Sequence, residues 1–266
     1  MPNHSISIAS ILALTLMAGC GNHTQYSSGA DYLAAGTNTF NAATTAPRDA
    51  KAIDKRIAQA AAVEPDLRLP GRFGLARLVN GQLTAIPETE AEIWRDLASR
   101  HPDFGTFTPI SPLVAQLAAS SVGQTRYRNA FELFRNRTKH AVELVRIGAG
   151  RQHIDTVLIY EAGARSSKNN TALALMDLTI IGGAFLPTRR IETQGVASAV
   201  LVDVRNGYPY GTASATADLS SYFSSWGSDR KANEMRQEAV RRVVENLAPE
   251  VEQMMLSLRD QVTASQ

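Results

Sequence analysis

The chain has 266 residues, 44% of them hydrophobic and 20% charged, with a formal net charge of +2. That balance is ordinary for a folded protein, and the length supports one large domain with a sizeable core. It excludes an intrinsically disordered chain, and so small a net charge supplies no global field for nucleic acid.

The N-terminus carries the first signal. Ile6–Ala18 is uncharged and apolar, yet shorter than the roughly 20 residues a membrane-spanning helix needs. It matches the apolar core of a secretory signal and leads into Leu16-Met17-Ala18-Gly19-Cys20, which holds the single cysteine. This stretch resembles the bacterial lipobox. The resemblance implies a signal peptide over residues 1–19 and a thioether-linked diacylglycerol on Cys20, palmitate being a typical acyl group. Two or three acyl chains hold a protein firmly on a bilayer where one does not. Gly21, in place of an aspartate, is similar to the sorting signal of outer-membrane lipoproteins, with the domain facing the periplasm. Once Cys20 is acylated no thiol is left for a disulfide, so the fold must stand on packing. Beyond the signal, no apolar stretch approaches spanning length.

Residues 20–47 are rich in Asn, Thr, Ser, Gly and Ala without apolar periodicity. They read as a flexible tether with a reach of roughly 30 Å. A single α/β periplasmic domain is expected over 48–266. It opens with a short helix over Asp49–Ala62, ended by Pro65 and Pro70. Arg72–Ile86 with Asn80-Gly81 at its middle reads as a hairpin, since both residues tolerate positive φ. Glu88–Arg100 is an amphipathic helix with Ile93, Trp94 and Leu97 on one side. Phe104–Ile110 is a short strand, and Ser111-Pro112 reads as an N-cap followed by proline at the first helical position. Gln124–Gly148 reads as a long helix ended by Gly148 and Gly150. Ile154–Ala162 is a buried strand, Ser166–Asn170 a polar turn and Leu173–Ile181 a returning strand. Val196–Arg205, Asn206-Gly207 and Tyr208–Ala217 form a second hairpin. In its last strand Ala213, Ala215 and Ala217 share one face, which lets a helix approach closely. Asp229–Ala264 is helical, with Met235, Ala239, Val243 and Leu247 four apart, and Pro249 is expected to kink or split it. The fold class is therefore α/β (α+β): a mostly antiparallel sheet of four or more strands flanked by helices, with a long C-terminal helix.

Catalytic patterns are sparse. His23, His101, His140 and His153 lack the i, i+4 spacing of a helical zinc pair, and neither a metal nor a cofactor is expected. Gly148-Ala149-Gly150 lacks the third glycine of a dinucleotide loop. Ser228-Asp229-Arg230-Lys231 matches Ser-x-x-Lys without its companion motifs and reads better as a helix cap. Asp155, Glu161, Asp177 and Asp203 fall in or beside strands, where two could converge into an acid/base pair.

Two surfaces invite a partner. Arg126, Arg128, Arg135, Arg137, Lys139, Arg146 and Arg151 are opposed only by Glu132 and Glu143. Such a stretch suits lipid headgroups or an acidic protein as well as plain solvation. Tyr222, Phe223 and Trp226 lie among serines, a composition that often anchors interfaces and equally folds back onto a core.

The later half also carries a family likeness. Ile154-Asp155-Thr156-Val157-Leu158-Ile159-Tyr160, the segment Leu178–Pro187, Ala199–Gly207 (Ala-Val-Leu-Val-Asp-Val-Arg-Asn-Gly) and Gly211-Thr212-Ala213 resemble the CsgG- and LpoB-like envelope lipoproteins, which share a fold with the N-terminal domain of TolB. The similar part covers roughly 150–247. The resemblance implies a periplasmic, membrane-tethered adaptor without catalytic residues, acting on cell-wall synthesis or export. The curli branch forms a pore with strictly alternating hairpins. Val196, Ser198, Val200 and Val202 lie opposite Ala197, Ala199, Leu201 and Asp203, so neither face is polar enough for one. The expectation is a non-enzymatic outer-membrane lipoprotein with the membrane and an envelope protein as partners, no nucleic acid, and oligomerisation left open. The alternatives are a subunit of a secretion or assembly complex and, more remotely, a Ser228/Lys231 hydrolase.

Overall fold

The computed structural model describes residues 21–40, 48–122, 137–170, 189–223 and 228–265. The described strands are β1 (Gly21–Thr24), β2 (Gly71–Val79), β3 (Gln82–Thr84), β4 (Gly105–Pro109), β5 (Thr156–Asn170), β6 (Arg189–Asp203) and β7 (Pro209–Phe223). The described helices are α1 (Gly29–Phe40), α2 (Arg48–Ala61), α3 (Glu88–Arg100), α4 (Pro112–Val122), α5 (Arg137–Arg151) and α6 (Ser228–Ala264). The strands form one sheet in the order β1-β7-β6-β5-β2-β3, and β4 shares the outer edge of β2 with β3. Pairing is antiparallel except where β2 meets β4 and β5. The expected fold class is the one observed.

Two cores sit on opposite faces of the sheet. On one, α6 and α3 cover Phe73, Leu75, Leu158, Tyr160 and Leu201. On the other, α4 and α5 cover Ala76, Leu78, Val157 and Ile159. Strand β5 is thus buried on both sides, which is why its apolar residues run consecutively instead of alternating. The alanine face behaves as its spacing requires: Ala213, Ala215 and Ala217 are buried under α6, while Thr212 and Ser214 are exposed. Gly195 extends this surface on β6. A Cβ there would lie 2.8 Å from the Ala239 carbonyl oxygen, so the helix backbone rests almost directly on the strand. Val243, Leu247, Val251, Met254 and Leu258 form the buried stripe of α6, each worth about 1.5–3 kcal/mol of transfer free energy.

Local signals are realised closely. Asn80 and Gly81 have φ of 51° and 71° between β2 and β3. Ser111 Oγ accepts from the Val114 N–H at 3.4 Å at the start of α4. The helix over Glu88–Arg100 has the expected ends and buries Trp94 and Leu97.

Four expectations are corrected. The stretch read as tether is folded where it is described: β1 pairs with β7 and α1 follows. A short strand needs no apolar run when it lies on an edge and its neighbour supplies the ladder. Gly148 and Gly150 do not end α5, which runs to Arg151. A Cβ on Gly148 would meet Ala115 Cβ at 2.6 Å, so this glycine serves the α4–α5 contact. Ser166–Asn170 is not a turn but the continuation of β5, paired residue by residue with Arg189–Thr193. Pro249 does not split α6, a continuous helix of 37 residues. The proline is exposed while Leu247, Ala248 and Val251 around it are buried. Packing therefore outweighs a loss of ~3 kcal/mol for an interior proline. Part of the expected long helix (123–136) and the expected strand Leu173–Ile181 lie outside the described residues.

Candidate functional site

The sheet edge next to Cys20 is the first candidate. Cys20 itself lies outside the described residues, but Gly21 follows it directly and stands opposite Ser214 of β7. The register continues to Thr24 opposite Gly211, and the Gln25 N–H donates to the Tyr210 carbonyl at 2.7 Å. Side chains tie β1 to α6 as well. Asn22 Nδ2 donates to Glu250 at 3.3 Å, Gln261 Nε2 donates to Thr24 Oγ1 at 2.9 Å, and the Thr24 and Ser257 hydroxyls lie 3.3 Å apart. The chain leaving position 20 is therefore bound to the domain at once, without slack.

The far end of β1 leads to a second candidate, built around the β6–β7 turn. Asp203 is only 1% exposed. Its Oδ1 accepts from the N–H groups of Arg205 and Asn206 at 2.7 and 3.0 Å, and its Oδ2 accepts from the Tyr210 hydroxyl at 3.0 Å. That hydroxyl also accepts from the Asp66 N–H at 3.1 Å. Burial, with the Asp203 carboxylate alongside, pushes the Tyr210 hydroxyl above its ordinary value. Asn206 accepts from the Tyr208 N–H and donates to the Glu64 carbonyl, both at 2.8 Å. The Glu64 carboxylate accepts from the Gly29 and Ala30 N–H groups at 3.3 and 2.9 Å, placing negative charge at the positive end of α1. Arg146 of α5 donates to the Val204 and Arg205 carbonyls at 3.0 and 2.9 Å. Beside the turn lies a groove of about 590 Å³ lined by Gln25, Tyr32, Ile57, Val63, Gly207 and Tyr208 among others. Tyr32 and Ile57 expose 57% and 40% of their surface, so the groove offers apolar contact.

A second groove, of about 650 Å³, lies between α3 and α6. At its base Arg77 Nε donates to Glu90 Oε2 at 2.7 Å, and the Tyr160 hydroxyl donates to the same oxygen at 2.8 Å. Burial raises the Tyr160 hydroxyl well above its usual range. On the rim, Arg241 and Arg242 hydrogen-bonded to Glu238 lower its carboxyl to about 2.

The candidates from sequence are distributed as follows. Arg126, Arg128, Arg135, Trp226 and Asp177 lie outside the described residues. Arg137 opens α5, and Lys139 is exposed, 3.9 Å from Glu143. Arg146 is engaged with the turn, leaving Arg151 exposed at the end of α5. Tyr222 and Phe223 belong to β7 and not to a loop, opposite Arg190 and Arg189. Among the described residues, Asp155, Glu161 and Asp203 do not converge on an acid/base pair. Asp155 takes both Arg72 nitrogens at 2.9 and 3.1 Å, which lowers its carboxyl, while Glu161 accepts from the Gly81 N–H at 3.4 Å and Asp203 holds the turn. His101 Nε2 lies 2.6 Å from Glu252 and its ring stacks on Phe104. Among the described residues no group of His, Cys, Asp and Glu could hold a metal. Lys231 lies 3.6 Å from Glu234, and Ser228 opens α6.

Sequence reasoning passed over Glu64, Glu90 and Tyr210. The Asp-x-x-Asn-Gly order hints at the Asp203 turn, since aspartate readily accepts from the N–H two residues on. Nothing local announces Glu90, whose partners Arg77 and Tyr160 come from two other elements.

No family model and no curated protein matches the chain. Among solved structures, two PelC dodecamers from Paraburkholderia phytofirmans are similar. One, of a variant in space group C2, has 14% identity over 71% of this chain and 92% of that one, with a TM-score of 0.30. The other, in space group P6, has 14% identity over 69% and 92%, with a TM-score of 0.26. At TM-scores this low the likeness carries no argument about fold or function.

Proposed function

We propose that the chain is a non-enzymatic, lipid-anchored envelope protein that acts as an adaptor or regulator of an envelope machine, in cell-wall synthesis or export, from the periplasmic side of the outer membrane. The observation that carries the reading is the junction at Cys20. A lipobox-like cysteine is followed without interval by Gly21, already paired to the sheet. A lipid on that sulfur would hold the folded body at the bilayer surface. The interior charges also support the reading, since Asp203 and Glu90 accept hydrogen bonds that hold a turn and a strand–helix contact.

Metabolic labelling with palmitate and the mass of the mature N-terminus test the anchor. Label lost in Cys20→Ala and a product beginning at residue 20 are expected; an unlabelled product retaining residues 1–19 refutes the placement. Crosslinking of the full chain in intact envelopes, read by mass spectrometry, tests the role. Reproducible capture of one envelope assembly is expected, and recovery of only bulk outer-membrane proteins refutes it.

A further inference from the structure

Helix α2 has little of the domain to lean on. Each of its described side chains, Ile53–Ala61, is exposed or half-buried. The element it touches most is α1, and a Cβ on Gly29 would run into the Ala61 carbonyl oxygen. A lone helix of 14 residues is marginal in water, and packing an apolar face is what normally holds one of this size. Such a face is present and bare. Ile53 and Ile57, one turn apart, expose 54% and 40% of their surface, and Tyr32, which lines the same groove as Ile57, exposes 57%. None of the three packs into a core. The residues joining α1 to α2, 41–47, include no large apolar side chain that could cover them. The charge of α2 is basic on balance, with Arg48, Lys51, Lys55 and Arg56 against Asp49 and Asp54. Lys55 and Arg56 are exposed, and neither has an ion-pair partner among the described residues.

We propose that α1 and α2 make a second membrane contact, in which Tyr32, Ile53 and Ile57 enter the headgroup layer of an anionic bilayer beside the lipid on Cys20. The inference rests on the anchor reading for its geometry. Gln25 lines the groove with Tyr32 and Ile57, and it lies five residues along the β1 edge from position 20, about 16 Å at ~3.3 Å per residue. With β1 lying along the bilayer, the lipid and the helix pair reach the same surface. An apolar face with an excess of lysine and arginine is the composition of a helix that lies in the interface plane, where its apolar side enters the acyl boundary and its cations meet anionic headgroups. Tyrosine suits the same depth, with an apolar ring and a hydroxyl left in water. A lipid alone fixes position but not orientation. A contact at the far end of β1 would fix both, and would hold the β6–β7 turn close to the membrane.

The experiment places a polarity-sensitive thiol dye on full-length Ile53→Cys or Leu117→Cys, reconstituted in vesicles of phosphatidylethanolamine and phosphatidylglycerol doped with a lipid bearing a nitroxide high on its acyl chain. Leu117 is the control, an apolar residue of α4 that is 62% exposed. Quenching at position 53 is expected to exceed that at 117 several-fold. Lys55→Glu with Arg56→Glu in the Ile53→Cys background is expected to cut it several-fold, both side chains being exposed and the fold independent of them. Equal quenching at 53 and 117 overturns the proposal, and so does quenching that the charge reversal leaves unchanged. Shielding of the position 53 dye from aqueous iodide that rises with the number of copies per vesicle, without lipid quenching, would mean that a second copy covers the face and also overturns it. The wild type is treated in parallel, since Cys20 is its only cysteine. Dye on the wild type reports a free Cys20 thiol and counts against the anchor, while the comparison of 53 with 117 still decides the helix contact.

Discussion

Asp203→Ala isolates the contribution of the β6–β7 turn. The carboxylate accepts two backbone N–H bonds and the Tyr210 hydroxyl inside a site 1% exposed. Hydrogen bonds to a charged group contribute about 1.5–3 kcal/mol each, and they do not sum fully. Arg205 and Asn206 are at the surface end of the turn, where water can replace the lost acceptor. The Tyr210 hydroxyl is buried and keeps only its bond from Asp66. We therefore expect a loss of about 3 kcal/mol, a large share of the 5–15 kcal/mol that typically holds a domain. Asp203→Asn retains an acceptor for the two N–H groups and should cost about 1 kcal/mol. Urea unfolding of the full chain in detergent, followed by tryptophan fluorescence, measures both. An alanine variant within about 0.5 kcal/mol of wild type, or an asparagine variant as costly as alanine, would show that the turn is held by packing and not by this carboxylate.

Tyr210 gives a pH prediction of definite sign. Its folded-state value is raised from 10.0, chiefly by burial. Its stabilisation is complete below 10.0 and is lost as pH climbs from there toward the folded value, because only the unfolded hydroxyl ionises. The urea midpoint should fall above that pH, and more shallowly in Tyr210→Phe. Asp155 has the opposite sign: Arg72 lowers its carboxyl, so its contribution is present above the ordinary 3.8 and fades as acid protonates it. Because the pair is largely exposed, Arg72→Gln should change the acid midpoint by only a few tenths of a pH unit. Gly195→Val should destabilise by about 2–3 kcal/mol by forcing α6 off the sheet, whereas Gly163→Val, with open space around it, should be near neutral in the same unfolding assay.

How much of this was legible in the chain follows from where each signal resides. The hairpin at Asn80-Gly81, the helix over Glu88–Arg100 and the alanine face of β7 were readable because a turn, a cap or a period of two or 3.6 is written in neighbouring residues. Glycine was misread at 148 because the same residue that ends a helix also allows two helices to touch. Ser166–Asn170 was misread because polar residues in a long antiparallel arm look like a turn until the partner strand Arg189–Thr193 is placed beside them.

From the amino acids alone came the lipobox-like cysteine, the α/β class, the positions of most strands and helices, and the poverty of catalytic pattern. Tertiary structure alone decided that the residues after Cys20 pair with β7 and that Glu90 accepts from Arg77 and from Tyr160, far along the chain. The division has one cause. Helical and turn signals depend on contacts within a few residues, while strand pairing and the burial of a charge depend on partners that only the folded chain brings near.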